Sequence, residues 1–94
     1  MDDWSKYKQE VREKYPSLKQ DIDEAEEISA IVGAMIDGRH SLNISQRDLA
    51  KLCGIPQSSV ARIESGRTVP NLSTLIKIFN QLNLKLVVTR DIKN

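Results

Sequence analysis

Two short helical patterns meet at a tight turn between Ser45 and Gly66, and this feature restricts the fold of the chain more than any other. Ser45 is a typical helix N-cap, and Asp48 follows three residues later in the first turn. Gly54 ends the first pattern because glycine closes a helix in the left-handed conformation, and Pro56 suits the start of the second. The stretch therefore predicts two short helices on a tight turn, which serve either as a plain helical hairpin or as a device that reads DNA.

The apolar positions around this stretch predict a helical core. A third helix of that core begins at the N-cap Asn71 and ends at Asn83. The residues expected inside are Leu49, Ala50, Leu52 and Cys53 in the first helix, Val60, Ala61 and Ile63 in the second, and Leu72, Leu75, Ile76, Phe79 and Leu82 in the third.

Two further helices are predicted before this core. The first ends at Pro16, because the residue before a proline avoids the helical conformation. The second starts at Ser17, which forms a capping box with Gln20, and runs to about residues 37–40, where Asn43 then turns the chain. The apolar stripes are Trp4, Tyr7, Val11 and Tyr15 on the first helix, and Leu18, Ile22, Ala25, Ile28, Ile31, Val32, Met35 and Ile36 on the second. From Ile28 onward the second stripe is expected to enter the core.

The C-terminal segment changes from helical spacing to a period of about two. Residues 84–89 are mostly apolar and rich in valine, which is typical of a strand. A lone strand cannot satisfy its own backbone groups, so the segment is either disordered or paired with a second copy of itself. We favour the paired strand, which predicts a homodimer held by Leu84, Leu86, Val87 and Val88.

The near-neutral total charge of this 94-residue chain hides a strong asymmetry. Residues 1–37 carry five basic and ten acidic side chains, and residues 38–94 carry nine basic and three acidic ones. The two parts therefore have net charges of −5 and +6. Such an asymmetry indicates two surfaces with different partners, although two solvated faces that happen to differ would look the same.

Several classes of protein are not expected. No apolar run is long enough to cross a bilayer, the acidic N-terminus is unlike a signal peptide, and one cysteine forms no internal disulfide, so we expect a cytoplasmic protein. His40 and Cys53 are the single histidine and cysteine, which leaves no ligand set for a structural zinc ion. We expect a helix-end or surface position for His40, a core position for Cys53, and neither an enzyme nor a cofactor.

The second helix of the core carries polar side chains suited to base edges. Its outward positions are Gln57, Ser58, Ser59 and Arg62. Glutamine can bond adenine, arginine can fork onto guanine, and serine can bond either base. Gln46 lies at the start of the preceding helix, and Arg67 and Thr68 follow in a polar loop suited to phosphates. Taken alone, four polar residues at the start of a helix are better explained as a solvated face.

The run SQRDLAKLCGIPQSSVARIESGRTVP, from Ser45 to Pro70, resembles the helix-turn-helix domain of Cro/C1-type (XRE) repressors. The resemblance covers about residues 28–82 and implies an all-α, lambda-repressor-like core of five helices, to which this chain adds an N-terminal helix and the C-terminal strand. One departure is Asn43-Ile44-Ser45-Gln46, where many members have Gly-Leu-Thr-Gln.

The resemblance also implies roles for individual residues. Gln46 would clamp a phosphate and brace the recognition helix. Gln57, Ser58, Ser59 and Arg62 would face bases in the major groove, while Arg67 and Thr68 hold the DNA backbone. Arg39 and Glu64 fall where the family often has an internal ion pair between the helix that ends near residue 40 and the recognition helix.

The run PNLSTLIKIFNQLNLKLVV is similar to the C-terminal part of HigA-like antitoxins. This similarity implies a protein that represses its own operon and neutralises an RelE-like ribonuclease toxin. Because such toxins are basic, the acidic and aromatic N-terminal segment is the expected toxin surface, formed by Trp4, Tyr7, Val11, Tyr15, Asp21, Asp23 and Glu24. Alternatively, that segment is an extra helix that packs on its own core.

Together these patterns predict three regions: a toxin-binding extension (1–27), a DNA-binding domain (28–83) and a dimerisation strand with tail (84–94). The expected DNA is a double-stranded palindromic operator. Two alternatives remain, a plain XRE-type phage or operon repressor without a toxin, and a protein-interaction module that uses the same scaffold without DNA.

Overall fold

The computed structural model describes residues 3–14 and 16–91, which are helical through most of their length. The helices are α1 (Asp3–Lys14), α2 (Pro16–Ser41), α3 (Gln46–Cys53), α4 (Gln57–Glu64) and α5 (Leu72–Gln81). The predicted all-α class is confirmed. The resemblance implied five core helices in addition to an N-terminal helix, and with α1 included the described residues form five helices.

The chain divides into two compact units, and the division falls between Ile31 and Val32, within α2. The first unit contains α1 and the first part of α2. The second contains the end of α2 together with α3, α4 and α5. The predicted boundary after residue 27 lies four residues earlier along the same helix.

The predicted caps of the second unit are present. The Ser45 hydroxyl accepts a hydrogen bond from the Asp48 backbone N–H at 3.0 Å, and the Asp48 carboxylate accepts one from the Ser45 N–H at 3.1 Å. The backbone hydrogen bond from Ser45, followed by that from its hydroxyl, holds the pKa of Asp48 below its usual value. Asn71 caps α5 by accepting from the Thr74 N–H at 2.8 Å.

The turns between the helices use left-handed residues. Gly54, at the end of α3, has φ 67°, and Gly66, after α4, has φ 78°. Asparagine does the same at two positions, with φ 57° at Asn43 and 58° at Asn83. Asparagine tolerates this conformation better than most residues, so the substitution of Asn43 for the family's glycine preserves the turn.

The core of the second unit joins the end of α2 to the inner faces of α3, α4 and α5. Its buried residues are Met35, Leu49, Ala50, Cys53, Val60, Ile63, Leu75, Ile78, Phe79 and Leu82. Burial raises the pKa of the Cys53 thiol, which Lys77 lowers in part, as expected for a core cysteine.

Four predicted core positions differ from the structure. Leu52, Leu72 and Ile76 are 53%, 67% and 44% exposed, whereas Ile78, which was not predicted, is fully buried. Ala61 is only half-buried. On α5 the buried row starts at Leu75 and continues through residues 78, 79 and 82, so that the apolar residues at 72 and 76 lie on the neighbouring row.

The start of the C-terminal segment, at Leu84, lies against α2 and the end of α5 in the same chain. The Leu84 N–H donates to the Phe79 carbonyl at 2.9 Å, and a Cβ added to Gly38 would lie 2.9 Å from Leu84 Cδ1. Glycine at position 38 therefore lets Leu84 approach α2 closely. Within the described range the segment forms no strand, and Val87 and Val88 are 70% and 99% exposed. Pairing of this segment with a second copy stays a prediction.

In the first unit α1 covers Asp3–Lys14 and α2 starts at Pro16, and the predicted break between the two helices stays a prediction because it falls on Tyr15. Tyr15 lies outside the described residues. The side chains of Ser17 and Gln20, which form the predicted capping box, and that of Leu18 in the predicted apolar stripe also lie outside the described part. Ile22 is half-buried and Ile28 is 37% exposed, so Met35 is the one fully buried residue among the described members of the stripe.

Among the described residues, no helix is both long enough and apolar enough to cross a membrane. Those residues also include no group of three or more histidine, cysteine, aspartate or glutamate side chains that could hold a metal ion.

Candidate nucleic-acid interface

The outer face of α4 is polar and open to solvent. Gln57, Ser58 and Arg62 are exposed, and Ser59 is half-buried. Ser58 and Arg62 are four residues apart and share one side of the helix, whereas Ser59 leans toward the buried Ile63. Thus three of the four predicted base-reading side chains are exposed.

The inner face of α4 fixes the helix on the core. Val60 is fully buried and Ile63 is 4% exposed, and α4 packs mainly against α3. Because its apolar side chains are inserted in this way, the helix presents its polar side in one orientation.

An ion pair ties the end of α4 to the other helices. Arg39 Nε lies 2.8 Å from Glu64 Oε2, and Arg39 Nη2 donates to Glu64 Oε1 at 3.0 Å. The same guanidinium donates through Nη1 to the Ile44 carbonyl at 2.9 Å, and Gln46 Nε2 donates to Glu64 Oε1 at 3.0 Å. The two charged side chains are 11% and 8% exposed, so this Arg39–Glu64–Gln46 cluster is largely shielded from water.

The electrostatics of the cluster favour the charged forms of both partners. Burial raises the pKa of Glu64, but the hydrogen bonds from Arg39 and Gln46, together with the charges of Arg39 and His40, outweigh it and hold that pKa below its ordinary value. The hydrogen bond to Glu64 is the main reason that the pKa of Arg39 is raised. The pair is therefore ionised at neutral pH.

Gln46 is positioned by this cluster. Its amide nitrogen is engaged with Glu64, which is the bracing contact that the resemblance implied. The side chain is half-buried in the first turn of α3, and its contact with phosphate stays a prediction. His40 lies exposed in the last turn of α2, with Nε2 3.2 Å from Arg39 Nη2.

The loop after α4 is attached to the end of that helix. The Arg67 N–H donates to the Arg62 carbonyl at 2.9 Å, and the Ser65 hydroxyl donates to the same carbonyl at 3.1 Å. The side chains of Arg67 and Thr68 are exposed. They are therefore displayed beside the polar face of α4, at a place suited to the backbone of a DNA strand bound there.

The sequence alone did not single out two groups at this site. The Ile44 carbonyl accepts from Arg39, and no sequence signal marks a backbone acceptor. Arg47 is exposed in the first turn of α3, where backbone N–H groups are also available to an anion. Its position one residue after Gln46 in a helix start was the signal that could have identified it.

The charge of the second unit suits a polyanion. Residues 32–94 contain nine basic and four acidic side chains. Of these acids, Glu64 is paired with Arg39, and Asp48 is occupied in the cap of α3. The second unit therefore has an excess of basic side chains, which suits phosphate binding.

Comparison with known proteins gives matches over most of the chain. The family profile described as helix-turn-helix matches residues 38–88. An uncharacterized HTH-type transcriptional regulator of Haemophilus influenzae is 34% identical over 92 residues, which is 97% of this chain and 89% of that protein. Antitoxin HigA1 of Mycobacterium tuberculosis is 34% identical over 85 residues, covering 90% of this chain but only 57% of the antitoxin. No solved structure gives a significant match.

Proposed function

The chain belongs to the XRE-type helix-turn-helix family, and from that premise we propose that it represses transcription by binding an operator and acts as the antitoxin of a toxin–antitoxin pair. The coarser function, a DNA-binding transcriptional regulator, follows from the family. Operator binding also implies that the protein works in the cytoplasm, where bacterial DNA is found.

The observation that carries DNA reading is the fixed, polar outer face of α4. Gln57, Ser58, Ser59 and Arg62 face bases in the major groove, because α4 is held from behind by its buried side chains and at its end by the Arg39–Glu64–Gln46 cluster. Gln46, Arg67 and Thr68 bind phosphates on either side, which fixes the register of the helix.

The operator is palindromic because the protein acts as a homodimer. The terminal residues Leu84, Leu86, Val87 and Val88 form the contact, and the exposure of the two valines supports this assignment. Two recognition helices related by a two-fold axis would read half-sites about 34–36 Å apart.

The antitoxin role is supported by the similarity to HigA1 and by the acidic, aromatic N-terminal part of the chain. Its partner is an RelE-like ribonuclease toxin, which contacts the N-terminal residues predicted from the sequence. The alternative is a plain XRE-type regulator without a toxin. The relative from Haemophilus influenzae, which matches this chain over most of both lengths, is named only as an HTH-type transcriptional regulator.

A titration of the operator, selected from the DNA upstream of the gene, tests the reading face. Arg62→Ala should cost about 1–3 kcal/mol and relax specificity at one base pair, because a bidentate base contact is lost. The matched variant Arg67→Ala should weaken binding to all sequences and reduce the salt slope by about one unit. Unchanged operator affinity in Arg62→Ala would show that the α4 assignment is wrong.

The antitoxin role is tested with the product of the adjacent reading frame. A small basic protein that arrests growth, and whose toxicity is relieved by co-expression of this chain, is the expected result. A neighbour without such toxicity would leave the plain regulator as the function.

A further inference from the structure

The first unit contains a groove between α1 and the first part of α2, with a volume of about 640 Å³. Ile22, Ala25, Ser29 and Ala30 line it from α2, and Trp4 lines it from α1. The three small side chains on α2 leave space beside the indole, so the groove is mostly apolar and has room for a bulky side chain.

The Trp4 side of the groove is held in place by neighbouring groups. The ring stacks on Tyr7 with centroids 5.7 Å apart, and Lys8 Nζ lies 5.6 Å from the Trp4 centroid. The same ammonium group forms an ion pair with Glu26 at 2.7 Å, which links the two helices. A pre-positioned indole loses little conformational freedom when a partner binds to it.

Two of the three aromatic residues that the structure describes lie beside this groove. Phe79 lies in the core of the second unit, whereas Trp4 and Tyr7 are 62% and 56% exposed. Exposed tryptophan and tyrosine beside a concave apolar site are typical of the few residues that dominate binding energy in protein interfaces.

The net charge of the first unit indicates the chemistry of the occupant. Residues 1–31 contain five basic and nine acidic side chains. We infer that the groove receives one bulky apolar side chain of a basic helix presented by a partner protein. This inference rests on the proposed partner-binding role of the N-terminal part, and it adds a specific anchor site formed by Ile22, Ala25, Ser29 and Ala30 to the residues predicted from the sequence.

Two synthetic helical peptides of about 18 residues probe the charge preference. Both carry leucine at the same positions of one face, and the polar positions are lysine in one peptide and glutamate in the other. Because Trp4 is the single tryptophan of the chain, its fluorescence reports occupancy of the groove directly. The lysine peptide should change the emission saturably and bind at least about tenfold more tightly than the glutamate peptide.

Two variants that replace alanines of α2 by leucine distinguish binding in the groove from general charge attraction. Ala30→Leu fills the groove without changing the charge and should weaken binding of the lysine peptide by about tenfold or more. Ala34→Leu replaces another exposed alanine of the same helix, outside the groove lining, and should leave binding unchanged. Both positions are exposed, so both variants should keep the helical circular dichroism of the parent protein.

Three results would overturn the inference. Equal binding of the two peptides would contradict the preference for a basic partner. Equal affinity of Ala30→Leu and Ala34→Leu for the lysine peptide would show that the groove is not the binding site. Self-association of the protein alone, lost in Ala30→Leu by light scattering, would identify a second copy as the occupant. Operator titrations of the same variants report the DNA-binding function separately, so failure of one proposal is distinguishable from failure of the other.

Discussion

At the scale of single residues, Glu64 links α4 to both α2 and α3. It accepts two hydrogen bonds from Arg39 and one from Gln46, and it lies in the last turn of the proposed recognition helix. A buried ion pair adds little net stability over an apolar pair, but removal of one partner leaves an uncompensated charge. We therefore expect the pair to matter chiefly for where α4 sits relative to α2 and α3.

The variant Glu64→Gln tests this role through pH dependence. At neutral pH the free energy of unfolding should fall by about 3–5 kcal/mol, because Arg39 loses its charged partner. Since the pKa of Glu64 in the folded protein lies below its ordinary value of 4.5, the stabilisation is complete above that pH and is lost as the pH falls through the folded value. Urea unfolding from pH 7 to pH 3 should show the difference from wild type shrinking only below about pH 4.5.

The exposed Asp37→Asn serves as the control, since it removes an acid from α2 outside the cluster. A gap between wild type and Glu64→Gln that stays constant down to pH 3 would contradict the role assigned to the ion pair.

At the scale of elements, α5 shows how packing determines which face of a helix with many apolar residues is buried. Residues 72, 75, 76 and 79 form one apolar row, and residues 75, 78, 79 and 82 form another. Both rows have helical spacing, and packing against α3 buries the second.

Two isoleucines of α5 provide a matched test of this face. Ile78→Ala should lower the free energy of unfolding by about 2–5 kcal/mol, because it opens a cavity in a fully buried position. Ile76→Ala removes the same atoms from a residue that is 44% exposed and should cost less than about 1 kcal/mol. Chemical denaturation measures both free energies. A larger loss of stability in Ile76→Ala would mean that the row with residues 72 and 76 is the one buried in solution.

The C-terminal segment is a second element whose prediction can be tested without disturbing the core. Val87→Lys with Val88→Lys changes two exposed positions and spares Leu84, which contacts α2. If this segment pairs across a two-fold axis, multi-angle light scattering should show a monomer. Val69→Lys, at another exposed valine, is the control. A dimer mass that survives the double substitution would rule out the strand as the contact.

At the scale of the whole molecule, opposite charges are divided along the chain. The acidic residues lie mainly before Val32, and the basic residues lie mainly after it. Such a division suits the two proposed partners of opposite charge, a nucleic acid and a basic protein.

A variant that lacks residues 1–16 tests whether the two activities are separable. It should bind the operator with unchanged affinity, because α3, α4 and the cluster around Glu64 lie in the second unit. It should rescue cells from the cognate toxin poorly, because Trp4 and Tyr7 are removed. Operator titration and growth assays measure the two properties. Full rescue would place the toxin contacts elsewhere, and loss of operator binding would show that the activities are not separable.

The sequence by itself determined the helical class, the caps and the turns. Ser45, Asn71, Gly54 and Asn43 act through their own side chains or backbone preferences, which depend on neighbours a few residues away, and each is found in its predicted role. The outward positions of Gln57, Ser58 and Arg62 were predictable for the same reason, since helical spacing alone separates them from Val60 and Ile63.

Only the tertiary structure decided which apolar rows are buried and which polar groups meet. Leu52, Leu72 and Ile76 have the composition of core residues, but each helix can bury only the face that its neighbours cover, and that depends on contacts between distant parts of the chain. The groove beside Trp4 likewise exists only because α1 lies along the small side chains of α2. Local chemistry was therefore readable from neighbouring residues, whereas burial and cavities required the packing of whole helices.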